Sequence, residues 1–424
     1  MTVAPGIAGR GTTGGPPSPI VDRRADRAIA AGGIVAAGAL LVAGVLASLL
    51  PPDLRHGIWL PLHLGIAGAA SVAISAVLPF FTATLGVAPP VRPAIRTIGV
   101  TLPLIGIAAV AVGVAWGPMS LAAAGGATYL AGIGVVAYAA LAPLARSAAP
   151  RRLALGLAAA AALADVAAGA LLGTLYAAGW PPVLARWDLL RPAHAWLNVL
   201  GFVGLTVATT LVHLWPTVLG ARIRAGRSGL VMGVGWAVGP PLVAVGLAID
   251  SDTLARAGAA ATLVGAASLA AFAILRWRAR GRWTIDPAWH RTAIGHLGAG
   301  VAWGTGGVGC AAVLVLARGA SPDAWSSALL VALGVGWIAQ TLVGAWTHLV
   351  PTIGPGDPVL HAAQRRILGR GWLARLVLWQ LGAACLAVGV AVDLAAPSVV
   401  GGIIVGGVVV ASGGLLASAV RARS

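Results

Sequence analysis

The chain has 424 residues, of which 59% are hydrophobic and only 9% charged, with a mean hydropathy of +0.93. A water-soluble fold cannot hide that much apolar surface, so a soluble enzyme or carrier is excluded and an all-α integral membrane protein is expected. The net charge of +17 comes from arginine, with aspartate the sole acid; the arginines cluster in short segments between apolar stretches, where they act as topology signals, and no nucleic-acid partner is expected.

Residues 1–27 are rich in Gly, Pro, Ser and Thr and carry Arg10, Arg23, Arg24 and Arg27, which reads as a disordered cytoplasmic tail ahead of a transmembrane domain over 28–424. Apolar runs of about 20 residues, long enough to span a bilayer, follow near 28–50, 58–82, 94–116, 119–143, 153–178, 193–216, 229–249, 254–276, 293–317, 326–350, 371–392 and 398–420. They predict about twelve transmembrane helices. Only Trp116, Gly117 and Pro118 divide the third from the fourth, and Gly239, Pro240 and Pro241 predict a break or kink in the seventh. The glycine-rich stretch 304–309 falls inside the ninth run and follows no strand, which argues against a nucleotide loop. Cys310 and Cys385 also lie within apolar runs and read as packing residues. The longest connections, near 277–292 and 351–370, are too short for a catalytic domain.

Placing the N-terminus in the cytoplasm leaves only Arg55, Arg186, Arg191, Arg256 and Arg318 outside, and puts the other 23 arginines inside. That alternation predicts a multi-pass protein of the cell membrane with both termini cytoplasmic, in contact with lipid on all sides.

An internal repeat runs through the helices. LVHLWPTVLG (Leu211 to Gly220) ends the sixth and WTHLVPTIG (Trp346 to Gly354) ends the tenth, so that His213, Leu214, Pro216 and Thr217 recur 135 residues later as His348, Leu349, Pro351 and Thr352. SAVLPFFTATLG ends the second, with Pro79 lying 137 residues before Pro216 and Ala76 in place of the histidine. Three copies at one interval predict three four-helix pseudo-repeats in parallel orientation, with helices 2, 6 and 10 equivalent.

Ionisable groups inside a bilayer are costly and so are functional candidates. Asp165 is the one acid deep within a predicted helix; it reads either as a proton or cation site or as a neutral carboxyl hydrogen-bonded between helices. Helix 6 carries Asn198, Thr206, Thr209, Thr210 and His213 largely on one face. That stripe, with His348 and Asp165, reads as a polar path or as interhelical hydrogen-bonding glue. His63 and His194 begin helices 2 and 6 toward the outer face, whereas His213, His296 and His348 lie toward the inner face. Neutral imidazole is a common ligand for haem iron, copper and zinc. The 19 residues from His194 to His213 correspond to roughly 28 Å of helix, so one mononuclear site cannot use both.

Two of these segments carry a family resemblance. HAWLNVLGFVGLTVATTLVHLWPTVLG, from His194 to Gly220, and WLPLHLGIAGAASVAISAVLPFFTATL, from Trp59 to Leu85, resemble a multi-helix membrane module of actinobacteria. That module is often joined to copper nitrite reductase or multicopper oxidase domains and is distantly similar to subunit I of the haem-copper oxidases. The resemblance implies an oxidase-like fold, with twelve helices in three arcs of four. It also implies that His63 matches the haem-ligand region of helix 2 and that His194 belongs to the module's own His-rich start of helix 6, so that the pair would bind haem or copper near the outer face. The departures are large. Helix 10 offers Trp337 and Gln340 where the oxidases have a His-x-His pair, helix 7 lacks adjacent histidines, and helix 6 lacks the His-Pro-Glu sequence. The oxygen-reducing centre is therefore expected to be absent, and without a cupredoxin domain the chain alone is not expected to reduce nitrite. The function implied is respiratory electron transfer or metal and nitrogen-oxide handling, with a cupredoxin-type copper protein or a respiratory partner. A permease or small-molecule channel and a cofactor-free scaffold for a copper enzyme are the rival readings.

Overall fold

The structure, a computed structural model, describes residues 24–223, 226–281, 290–322, 325–353 and 357–422. Of the tail expected over 1–27, residues 1–23 lie outside them, and 24–27 instead form the start of the first helix, Arg24–Ser48. Among the described residues twelve helices are long and apolar enough to cross a membrane: span 1 Ala25–Ser48, span 2 Trp59–Leu85, span 3 Pro93–Ala115, span 4 Met119–Ala145, span 5 Arg152–Ala177, span 6 Trp187–Leu219, span 7 Ser228–Ala248, span 8 Asp252–Arg278, span 9 Arg291–Arg318, span 10 Ser327–Thr352, span 11 Trp372–Ala391 and span 12 Ala395–Arg421. A short surface helix, Pro358–Leu368, precedes span 11; Asp357 caps it by accepting from the Val359 and Leu360 N–H groups. The protein is an all-α, multi-pass membrane protein. Spans 2, 6 and 10 begin at the arginine-poor end of the bundle and finish at the arginine-rich end.

Two expectations need correction. Of the break or kink expected at Gly239, Pro240 and Pro241 the break does not occur, because the helix of span 7 runs continuously from Gly226 to Ala248 with both prolines inside it. The prolines remove two backbone bonds, but the helix is clamped there: a Cβ on Gly239 would lie 2.9 Å from the Gly258 carbonyl of span 8, and Trp236 is fully buried one turn away. Span 6 starts at Trp187 rather than near 193, since a proline in its second turn, Pro192, costs one backbone bond and leaves the turn before it intact.

Lipid removes the hydrophobic incentive for helices to associate, so contact relies on small residues that let backbones approach. The hairpins formed by spans 3 and 4, 7 and 8, and 11 and 12 use one packing scheme. Gly106 meets Gly125, Gly239 meets Gly258 and Gly382 meets Gly401, each pair 19 residues apart. Nine residues separate Gly113 from Ala122, Gly246 from Ala255 and Gly389 from Ser398, the second contact in each hairpin. A Cβ at Gly106 would sit 2.7 Å from the Gly125 carbonyl, and one at Gly382 would sit 3.1 Å from that of Gly401.

Spans 2, 6 and 10 are the most buried, with 67% of their most apolar stretch inside, against at most 50% in any other span. Span 2 packs on spans 1, 3, 4 and 5, span 6 on spans 5, 7, 8 and 9, and span 10 on spans 9, 11, 12 and 1. Span 1 also lies against span 12, and span 2 touches span 10. Each of these three helices contains a π-helical segment, HLGIAG at His63–Gly68, WLNVLGFVG at Trp196–Gly204 and ALGVGWIA at Ala332–Ala339. Buried ends are tied by charge only once among the described residues: Arg96 in the first turn of span 3 pairs with Asp26 in the first turn of span 1, with side-chain exposures of 4% and 9%.

Two stability measurements check this packing. Gly239→Ala drives a methyl into span 8 and is expected to cost about 1–3 kcal/mol, whereas Gly134→Ala, which meets nothing within 4 Å, is expected to be neutral or slightly stabilising in the same detergent unfolding assay. Asp26→Ala strands a buried guanidinium and is expected to cost about 3 kcal/mol, while Asp26→Leu combined with Arg96→Met costs clearly less than that single change.

Candidate functional site

The histidines that open spans 2 and 6 are brought together. His63 starts the first π-helical segment, and its Nδ1 donates to the Trp59 carbonyl at 2.9 Å. His194 stands two residues before the second π-helical segment, and its Nδ1 donates to the Gly169 carbonyl of span 5 at 2.7 Å. A carbonyl only accepts, so in each neutral ring Nδ1 carries the hydrogen and Nε2 keeps a lone pair. The two ring centroids are 6.5 Å apart with their planes 21° from parallel. π-helical turns recur where proteins place functional side chains, and here one begins at His63 and another two residues after His194.

Aromatic rings continue the line on both sides. Trp59 stacks on His63 at 4.1 Å, Trp187 lies 6.2 Å from His194, and Tyr176 of span 5 stacks on Trp187 at 4.2 Å. All five rings are half-buried at the arginine-poor end.

Below this pair, spans 5 and 6 interlock in antiparallel steps. His194 rests over Gly173, the Asn198 side chain fills the space a Cβ would take at Gly169, and Asp165 packs against Gly201. Asn198 Nδ2 donates to the His194 carbonyl at 2.7 Å. Asp165 is 6% exposed, inside protein and not in lipid, and its Oδ2 has no hydrogen-bond partner among the described residues.

The remaining stripe residues behave differently. Thr209 and Thr210 donate back to their own helix, to the Leu205 and Thr206 carbonyls at 2.7 and 2.8 Å. Thr206 is buried, and its hydroxyl has no hydrogen-bond partner among the described residues. His213 and His348 lie toward the arginine-rich ends of spans 6 and 10, His213 standing 19 residues along span 6 from His194, and His348 is buried.

Among the described residues no group of three or more His, Cys, Asp or Glu side chains is placed to hold a metal ion. A closed tetrahedral zinc site, which takes four such ligands, does not fit. The pair offers an ion two imidazole nitrogens, the ligand type that haem iron and copper both take. The flanking aromatics were readable only in part. Trp59 at i−4 from His63 and Trp187 at i−7 from His194 share the histidines' helix faces, but Tyr176 enters from another span. No family model matches this chain, and none of the curated proteins is significantly similar to it in sequence.

Gly169→Ala is expected to displace Asn198, loosen the hold on His194 and lower stability by about 1–3 kcal/mol. Gly173→Ala, whose Cβ would lie 3.2 Å from His194 Cε1, shifts the ring by less. Thermal unfolding of the two variants against the parent chain checks that order.

Proposed function

We propose that this multi-pass membrane protein has the three-unit, haem-copper oxidase subunit I-like architecture and holds copper or a haem iron between His63 and His194, for electron transfer or metal and nitrogen-oxide handling. The architecture is supported by the equal 19- and 9-residue offsets of the three hairpins and by π-helical segments in spans 2, 6 and 10.

The observation that carries the metal reading is the imidazole pair. The ring centroids lie 6.5 Å apart, close enough for one ion with metal–nitrogen bonds of about 2.0–2.1 Å to be shared by both rings. Both rings are oriented through Nδ1 by backbone carbonyls, the outer-shell bond that metal-binding histidines usually make. A bound copper or haem would supply one-electron chemistry. His63 and His194 would hold it, the Trp59 and Gly169 carbonyls would fix the tautomers, and Trp59, Trp187 and Tyr176 would exclude water from the pair.

The arginine distribution supports a topology with this end outside the cell and both termini in the cytoplasm. That exposes the site to a soluble cupredoxin-type copper protein or a respiratory partner. A permease or channel is the second reading. It is favoured by the Asp165 carboxyl, which is buried one helical turn from Asn198.

Metal analysis and visible absorption of the purified protein test the proposal. The expected result is about one metal or haem per chain, lost in the His63→Ala, His194→Ala double variant while the helical content is kept. A parent chain free of metal and haem, or a double variant that retains its full content, overturns it.

A further inference from the structure

The interface between spans 9 and 10 carries a second set of polar side chains, on helices that the histidine pair does not use. His296, Thr292, Gln340 and Trp337 are 0% exposed and Thr341 is 7% exposed. Among the described residues both ring nitrogens of His296, the hydroxyls of Thr292 and Thr341, the whole amide of Gln340 and Nε1 of Trp337 lack a hydrogen-bond partner.

These groups form a column. A Cβ on Gly304 would meet the Trp337 ring, one on Gly300 would lie 2.6 Å from Thr341 Oγ1, and one on Gly344 would lie 3.2 Å from His296 Cβ. Span 9 therefore descends from Gly304 through Gly300 to His296 as span 10 runs from Trp337 through Thr341 to Gly344. Thr292 lies one turn beyond His296, next to the exposed Arg291. From 292 to 304 the column covers about 18 Å of helix at 1.5 Å per residue, from the arginine-rich end to mid-bundle. Trp379 closes one side, its ring edge-on to His296 at 5.7 Å while its own N–H donates to the Val335 carbonyl at 3.1 Å. Arg375 lies below, committed to the Arg370 and Leu368 carbonyls and the Ser412 hydroxyl.

Buried polar atoms are costly unless paired, and an imidazole without a bond at either nitrogen is a rare extreme. The contacts at Gly304, Gly300 and Gly344 step the column by about one helical turn, and a water bonded to two neighbouring groups would satisfy both. We propose that this interface is a hydrated half-channel, a chain of ordered water molecules that enters beside Thr292, is held by His296, Thr341 and Gln340, and ends at Trp337. It does not depend on whether the histidine pair binds a metal.

Radiolytic hydroxyl-radical footprinting of the intact protein in nanodiscs tests this, because radicals formed from a bound water oxidise the side chains beside it. The expected result is oxidation of His296 and Trp337 roughly tenfold faster than of Phe202, which is equally buried but apolar. Labelling of all three at one low rate overturns the proposal. His296→Leu provides the second readout. It is expected to lower the unfolding midpoint and abolish labelling of Trp337; a raised midpoint would mean that a dry, unpaired imidazole had been removed, and would overturn it too.

Discussion

Backbone touching backbone is the contact on which the rest of the bundle depends. A bilayer offers helices no gain from hiding apolar side chains against one another, so cohesion comes from van der Waals contact at short range. The glycine pairs at Gly106 and Gly125, Gly239 and Gly258, and Gly382 and Gly401 supply it at the same offset in three hairpins. These tight hairpins and spans 1, 5 and 9 surround spans 2, 6 and 10, which are thereby removed from lipid. Among the described residues the π-helical segments occur only there, and the fully buried tryptophans lie on these helices, Trp196 and Trp337, or on spans 7 and 11 against them, Trp236 and Trp379.

Shielding from lipid is also what permits polarity. An unpaired carboxyl or imidazole facing hydrocarbon is costly, and both kinds of group occur here on inward faces. Asp165, Asn198 and His194 climb the interface of spans 5 and 6 toward the arginine-poor end, and Thr292, His296 and Thr341 rise from the arginine-rich end between spans 9 and 10. The two columns lie at different interfaces. Glycines make room for both, at Gly169 and Gly173 in one and at Gly300 and Gly304 in the other.

Much of the fold was legible because a bilayer imposes a length and an apolarity on every span. The divide at Trp116, Gly117 and Pro118 was read correctly, since a proline after a glycine ends one helix and opens the next. The Gly239–Pro240–Pro241 run does not break its helix, because local propensity is outweighed by packing against span 8. The hairpin offsets were present in the sequence too, but glycine is so abundant, 60 residues, that the pairs do not stand out until the helices are placed. Of the site, the histidine pair followed from both residues starting helices of one orientation. The Tyr176 and Trp187 stack, and the missing partners of His296, depend on neighbours from other spans and carry no local signal.

The contact between spans 2 and 10 is what closes the bundle. Gly334 faces Ile66 there, with 3.2 Å between its Cβ position and Ile66 Cγ1. Ile66→Cys with Gly334→Cys, in a chain with Cys310 and Cys385 replaced by alanine, is the direct probe. Mild oxidation is predicted to link the two cysteines within a single chain, while cysteines at Leu157 and Ile403, exposed on spans 5 and 12, stay unlinked. A folded protein in which positions 66 and 334 fail to cross-link would contradict the arrangement.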